Sequence, residues 1–294
     1  MSRPMHPADL LAAAIDRAGS PVCVGLDPVL ERVPPACNTP GQPAPDAIET
    51  FSLGVIDALP STVPSIKVQV ACYERYLEAG WRVLRRVVQH AIDRQLVVIF
   101  DAKRGDIGST SEHYAAAARA IGAHAITVNG YLGPSGITPF LDAGLGVFVL
   151  VRTSNPDSDP LQATPGRDGR TVAQVVADQV RELGESRLGS RGLSSAGAVV
   201  GATKAADAAE LRARMPDQVF LVPGYGAQGG TAADVRQMLR PEPASLGEAG
   251  VIVNASRSVI YPAAAKPGTS WQDAIRDAAR AFADDVASAC RTEP

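Results

Sequence analysis

The 294-residue sequence lacks the features that mark metal-binding, secreted, membrane or nucleic-acid-binding proteins. Its four cysteines are scattered and none has C-x-x-C spacing, which argues against a disulfide framework and a structural zinc site. The first ten residues carry no secretory signal, and no apolar run approaches the ~20 residues that span a bilayer. Lysine plus arginine (28) nearly balances aspartate plus glutamate (31), so nucleic-acid or membrane binding is not indicated. These absences predict a cytoplasmic protein with reduced thiols.

A glycine-rich dinucleotide fingerprint is also missing, because the first apolar run ends in Gly25-Leu26-Asp27-Pro28, which argues against a Rossmann domain. Short apolar runs predict eight strands, at 21–26, 65–70, 96–100, 123–128, 146–151, 196–201, 219–222 and 251–253. Amphipathic helical patterns lie between most of them, and this alternation is typical of a parallel sheet. Eight repeats in a chain of this length predict a closed (β/α)₈ TIM barrel, of α/β class, as one domain over 1–294.

Two segments interrupt the strand and helix pattern. Residues 31–45 contain five prolines and predict an extended loop after the first strand. Residues 153–170 are polar and rich in turn-forming residues, which predicts a long loop after the fifth strand. Long loops at the carboxyl face of a barrel are often functional, although an exposed insertion without a function is the alternative.

Charged residues cluster where the predicted strands end. Asp101 and Lys103 follow the third strand, and because they are two residues apart an extended backbone points both the same way. Asp27 ends the first strand, Lys67 lies within the second, and Asp106 follows in the loop beyond the third. Strand ends converge at one mouth of a barrel, so these groups are expected to meet. An inward lysine needs carboxylates around it, and the alternative is a lysine that reaches solvent at a strand end.

Glycine-rich turns follow the seventh and eighth predicted strands. The first turn, 222–230, contains four glycines within seven residues, and the second, 254–258, contains Arg257. In barrels these two loops often form a phosphate site from backbone N–H groups and a cation. A guanidinium binds phosphate in a bidentate manner. The pattern therefore predicts a phosphate site, with ordinary strand-to-helix turns as the alternative.

Two smaller patterns have structural interpretations. Ser109-x-x-Glu112 has the spacing of a capping box, which predicts a helix start at Ser109. The four histidines do not cluster, and no Ser-His-Asp arrangement or metal-ligand spacing is present. No metal is therefore expected.

The sequence resembles that of the orotidine 5′-phosphate decarboxylase family. The signature lies in Asp101-Ala-Lys103-Arg-Gly-Asp106-Ile107-Gly-Ser-Thr110. Further matches follow in family order at 25–27, 66–67, 153–156, 223–230 and 256–257, and together they cover most of the chain. The proline-rich insertion and the Asn-Ala-Ser-Arg turn at 254–257 resemble the larger bacterial branch, called type 2.

This resemblance implies a homodimeric TIM barrel that converts orotidine 5′-monophosphate to uridine 5′-monophosphate and CO₂ without metal or cofactor. That reaction is the last step of de novo pyrimidine biosynthesis. The implied catalytic residues are Lys103, Asp101, Lys67 and Asp106, the last reaching the site of the other subunit. The implied substrate-binding residues are Asp27 and Lys67 for ribose, Ile107 and Thr110 across the dimer, Ser154 for the pyrimidine, and Pro223, Gln228 and Arg257 at a phosphate site closed by a lid.

Two other functions remain open at this point. The Asp-x-Lys-x-x-Asp core is shared with a metal-dependent branch that acts on sugar phosphates. An enzyme of that branch, a Mg²⁺-dependent decarboxylase or aldolase, would lose activity with a chelator. A non-catalytic nucleotide-binding barrel would bind uridine monophosphate without turning over the orotidine compound.

Overall fold

The fold is a closed barrel of eight parallel strands, in which each strand pairs with its neighbours in sequence and β1 pairs with β8. The computed structural model describes residues 5–226, 229–263 and 268–291. The strands are β1 (Val22–Leu26), β2 (Ser65–Gln69), β3 (Val97–Arg104), β4 (Ala125–Asn129), β5 (Gly146–Arg152), β6 (Ser194–Val200), β7 (Gln218–Pro223) and β8 (Val251–Ala255). The predicted TIM barrel is confirmed.

Helices surround this barrel between the strands. They are α1 (Pro7–Ala18), α2 (Ala44–Ala58), α3 (Ala71–Glu74), α4 (Leu77–Asp93), α5 (Gly108–Ile121), α6 (Thr138–Asp142), α7 (Asp159–Gln162), α8 (Val172–Gly184), α9 (Ala205–Arg214), α10 (Ala232–Arg236), α11 (Arg257–Ile260) and α12 (Trp271–Cys290). Within the described residues, no helix is both long and apolar enough to cross a membrane.

Two apolar clusters hold the barrel together. The larger one joins the outward faces of the strands to the helices, and α4 contributes Val83, Val87 and Ala91 at helical spacing. The smaller one includes Ile99, Ile252 and residues of α1, which therefore packs against one end of the barrel. Full burial of a valine, leucine or isoleucine side chain in these clusters contributes about 1.5–3 kcal/mol. Apolar side chains thus fill the end of the barrel that is near α1. Polar residues at the carboxyl ends of the strands line the opposite end.

The proline-rich segment is more compact than predicted. Instead of an extended loop it forms two single-turn 3₁₀ helices, Leu30–Arg32 and Pro35–Cys37, before α2 begins at Ala44. Proline fixes φ near the value that such turns require, which explains why a proline-rich run can turn tightly.

The predicted capping box before α5 is wrong. The helix begins at Gly108, its N-cap is Ile107, and no side chain caps it. Gly108 makes the turn with a φ of +56°, so Ser109 already lies inside the helix. Ser111 instead donates a hydrogen bond to the carbonyl oxygen of Asp106 at 2.7 Å, which ties the preceding loop to the helix.

Candidate active site

A cavity of about 630 Å³ opens at the carboxyl ends of the strands. Its walls come from the ends of β1 to β8, from the segment after β5, and from the turns after β7 and β8. It brings together seven of the predicted site residues: Asp27, Lys67, Asp101, Lys103, Ser154, Pro223 and Arg257. Predicted residue Gln228 lies outside the described residues.

Asp101 is the centre of the charged cluster in this cavity. The Nζ atom of Lys67 donates to Oδ2 of Asp101 at 2.5 Å, and the Nζ atom of Lys103 donates to Oδ1 at 2.6 Å. Asp101 is 3% exposed and Lys67 is 6% exposed. The prediction that Lys67 points inward toward carboxylates is therefore confirmed by the geometry.

Asp101 and Lys67 are buried, and the charges around them keep both groups ionised. Burial alone raises the pKa of Asp101, but Lys67 and Lys103 outweigh it and lower that pKa to about 2. Burial alone lowers the pKa of Lys67, but Asp27 and Asp101 outweigh it and raise that pKa above its ordinary value. Oδ1 of Asp27 lies 3.7 Å from Nζ of Lys67. Both Asp101 and Lys67 are therefore charged at neutral pH.

Two uncharged residues that sequence reasoning missed complete the shell around Asp101. Gln69 donates to Oδ2 of Asp101 at 3.2 Å, and Thr127 donates to Oδ1 at 2.8 Å. The Thr127 hydroxyl also accepts from the backbone N–H of Lys103 at 3.0 Å. This second bond matters because Lys103 has a φ of +45°, a conformation that costs about 1–3 kcal/mol outside glycine. Thr127 thus holds both the carboxylate and the strained backbone that presents the lysine.

The segment after β5 is anchored by a buried arginine. Arg152, 6% exposed, donates from Nη1 to Asp159 at 2.7 Å and from Nε to Asp207 at 2.6 Å. Lys204 also donates to Asp159, at 2.5 Å. These bonds tie residues 153–162, which include Ser154 and form one wall of the cavity, to the turn after β6 and to the first turn of α9. The first half of the predicted polar loop is therefore a fixed wall.

The turns after β7 and β8 form another wall of the cavity. Gly224 and Gly226 have φ values of +91° and +65°, which side-chain-bearing residues rarely adopt. Arg257 is exposed at the start of α11 and lines the cavity. Asn254, near the end of β8, also lines it; this residue belongs to the predicted 254–258 segment, although no role of its own was predicted. This wall thus offers a guanidinium and a close backbone approach to an anionic ligand.

Three predicted residues are not part of the cavity lining of their own chain: Asp106, Ile107 and Thr110. Ile107 is 57% exposed, and Thr110 is exposed on the first turn of α5. Oδ1 of Asp106 accepts a hydrogen bond from the N–H of Ile107 at 2.9 Å. All three belong to the loop and helix start after β3, where they are accessible to another molecule.

The arrangement offers two lysine ammonium groups bonded to one buried carboxylate at the mouth of the barrel. An ammonium held between carboxylates can stabilise negative charge that develops on a ligand and can deliver a proton to it. Over the described ranges, no group of three His, Cys, Asp or Glu residues is placed to hold a metal ion.

Comparison with known proteins relates the chain to one family. Residues 20–273 match the model of the "Orotidine 5'-phosphate decarboxylase / HUMPS family". The chain is 41% identical over 294 residues to an orotidine 5'-phosphate decarboxylase of Rhodopirellula baltica, covering 92% of this chain and 95% of the relative. It is 38% identical to that of Roseiflexus castenholzii, covering 98% and 99%. The structure of Leishmania donovani OMP decarboxylase superposes with a TM-score of 0.78 at 29% identity, covering 98% and 100%.

Proposed function

The chain belongs to the orotidine 5′-phosphate decarboxylase / HUMPS family, and from this we propose that it decarboxylates orotidine 5′-monophosphate to uridine 5′-monophosphate in pyrimidine biosynthesis. The observation that carries the proposal is the Lys67–Asp101–Lys103 network, with two ammonium groups on the two oxygens of one buried carboxylate. It lies on a cavity that also contains a guanidinium, Arg257, for the phosphate. The type 2 branch is part of this proposal.

In the proposed mechanism, the bond between C6 of the pyrimidine and its carboxyl carbon breaks. CO₂ leaves, the electron pair stays on C6, and the ammonium of Lys103 stabilises that carbanion and then protonates it. The lysine acts mainly in the transition state, because the charge on C6 develops only there. Asp101 keeps Lys103 in place at 2.6 Å and, as an anion near the substrate carboxylate, favours its departure. No metal or cofactor takes part.

The rest of the cavity would bind the nucleotide. Asp27 and Lys67 contact the ribose, and Ser154, on the wall anchored by Arg152, contacts the pyrimidine. Pro223, Gln228 and Arg257 bind the phosphate, and the turn after β7 closes over it. Phosphate contacts far from C6 supply binding energy that drives this closure.

A homodimer completes the site in this proposal. Asp106, Ile107 and Thr110 reach the cavity of the other subunit; Ile107 is 57% exposed, and none of the three lines the cavity of its own chain. The chain is proposed to be a single cytoplasmic domain. Its proposed ligand is the nucleotide substrate, and binding to nucleic acid or to a membrane is not part of the proposal.

Replacing Arg257 with alanine is expected to weaken substrate binding at least about tenfold, since a charge-assisted hydrogen bond contributes about 1.5–3 kcal/mol. The rate of carbanion formation in a bound complex should change less, because Arg257 contacts the phosphate, far from C6, in the proposed complex. Steady-state kinetics separates these effects. An unchanged KM would contradict the assignment of the phosphate site to Arg257.

The experiment that tests the function is release of CO₂ and uridine monophosphate from orotidine monophosphate by chelator-treated protein. Turnover is expected without added metal. Activity on a sugar phosphate that needs Mg²⁺ would instead assign the chain to the metal-dependent branch. Binding of uridine monophosphate without turnover under either condition would leave a nucleotide-binding barrel.

A further inference from the structure

Asn254 is a polar residue on the inward face of β8, where the preceding inward residue, Ile252, is apolar. It lies near the end of β8, two residues after Ile252, and both therefore point inward. Ile252 belongs to the inner apolar cluster. Asn254 is only 6% exposed, and it lines the same cavity as Lys67 and Asp101. The polar side chain thus lies where the apolar filling ends and the cavity begins.

The amide oxygen of Asn254 has no donor. Oδ1 is buried, and none of the residues that the structure describes gives it a hydrogen bond. Most buried polar atoms in proteins are paired, because an unpaired one loses its hydrogen bonds to water without replacement. An acceptor that borders a cavity and has no donor from the described protein residues is available to a donor on a molecule in the cavity.

Gly25 keeps the space around this amide open. A Cβ atom at position 25 would lie 3.3 Å from Oδ1 of Asn254 and 1.9 Å from Oγ of Ser256, so any side chain there would displace the turn after β8. Cys23, two residues earlier on β1, is the register partner of Asn254. The close approach of the two strands thus depends on glycine, and it leaves the amide beside β1.

A second unpaired oxygen lies at the end of that neighbouring strand. Oδ1 of Asp27 is buried without a hydrogen-bond donor in the described residues, although Nζ of Lys67 lies within ion-pair distance at 3.7 Å. Asp27 directly follows β1, Asn254 lies within the adjacent β8, and both line the cavity. Two unpaired acceptors on one cavity fit a ligand that offers neighbouring hydroxyl donors, such as the cis-diol of a ribose.

We propose that Asn254 is a specificity-determining residue, whose Oδ1 accepts a hydrogen bond from a ribose hydroxyl of the bound nucleotide. The inference deepens the proposed function and rests on it. With Asp27 as the second acceptor, Asn254 makes the site select ribonucleotides over deoxyribonucleotides, because a missing hydroxyl leaves a buried acceptor unpaired.

The test compares the binding of uridine 5′-monophosphate with its 2′-deoxy and 3′-deoxy analogues by calorimetry. Asn254→Leu has nearly the same size without polar atoms, and Asn254→Ala leaves room for water. Each variant is expected to bind uridine monophosphate about tenfold more weakly than the unaltered protein. Each is also expected to bind one deoxy analogue as tightly as the unaltered protein does, because that analogue lacks the hydroxyl in question.

Gln218 provides the matched control. It is a buried amide at the opposite end of the barrel, at the start of β7, and its Oε1 also has no partner among the described residues. Gln218→Leu should change the melting temperature without changing discrimination between ribose and deoxyribose. Melting curves of all variants show which of them are folded.

The outcomes separate the two proposals. Equal weakening of all three nucleotides by the Asn254 variants, or no weakening, would overturn the role of Asn254 and indicate that an ordered water satisfies the amide. If Asn254→Leu fails to fold, Asn254→Ala carries the same test. If the unaltered protein neither binds uridine monophosphate nor releases CO₂, the proposed function fails and this inference fails with it. If it does both and only the selectivity test fails, the proposed function stands.

Discussion

Lys103→Ala is expected to lower kcat by at least about 10⁴-fold while the protein still binds uridine monophosphate. The variant loses both the cation that stabilises the C6 carbanion and the acid that protonates it, and each contribution is about 10²-fold or more. Asp101 keeps its bonds to Lys67, Gln69 and Thr127, so the cavity should persist. Stopped assays of CO₂ release measure turnover, and calorimetry measures product binding.

Lys103→Arg is the companion variant for this test. It retains a positive charge near Asp101 but presents a guanidinium, which hardly gives up a proton at neutral pH. Turnover should therefore stay far below that of the unaltered protein. Substantial turnover in Lys103→Ala would contradict the role of the lysine. Loss of turnover together with loss of product binding would show that Lys103 acts by supporting the cavity.

Mixing two inactive variants, Lys103→Ala and Asp106→Ala, is expected to restore activity. In the proposed homodimer each site combines Lys103 of one chain with Asp106 of the other. A mixed dimer therefore contains one site with both defects and one site with neither. If subunits exchange at random, half of the dimers are mixed, and activity recovers to about a quarter of the original level. The measurement is CO₂ release as a function of the ratio in which the two variants are mixed.

Asp101→Ala supplies the control for this complementation. Asp101 and Lys103 belong to the same chain and the same cavity, 2.6 Å apart, so every site in a mixed dimer would keep one defect. No recovery is expected from that mixture. Full activity of Asp106→Ala alone, or a Lys103→Ala and Asp106→Ala mixture that stays inactive after subunit exchange, would place the whole site within one chain.

The barrel and its charged mouth were predictable because both leave strong signals in the sequence. Buried parallel strands appear as short apolar runs, and a charged residue inside or directly after such a run stands out. This signal located Lys67, Asp101 and Lys103, and the structure places all three around one carboxylate. Strand lengths were less predictable, since β3 continues through the charged residues to Arg104 with a register shift after Phe100.

Uncharged members of the site left no such signal. Gln69, Thr127 and Asn254 are amides and a hydroxyl within strands, where polar residues of these types also occur on solvent-facing positions. The two-residue spacing between Lys67 and Gln69 was the one available indication that Gln69 shares the inward face. The start of α5 was mispredicted because the left-handed conformation of Gly108 competes with the capping potential of Ser109. A sequence pattern shows which residue types are present. Which of Gly108 and Ser109 starts the helix depends on the backbone conformation in the packed protein.

The anchoring of the segment after β5 limits how this barrel can be re-engineered. Loops at the carboxyl face of a (β/α)₈ barrel are usually regarded as exchangeable modules on a constant scaffold. Here residues 153–162 depend on charged groups outside the segment, namely Arg152 at the end of β5 and Lys204 and Asp207 after β6. A graft of this loop into another barrel must therefore carry the segment after β6 that contains Lys204 and Asp207. The two neighbouring loops have to be transferred together.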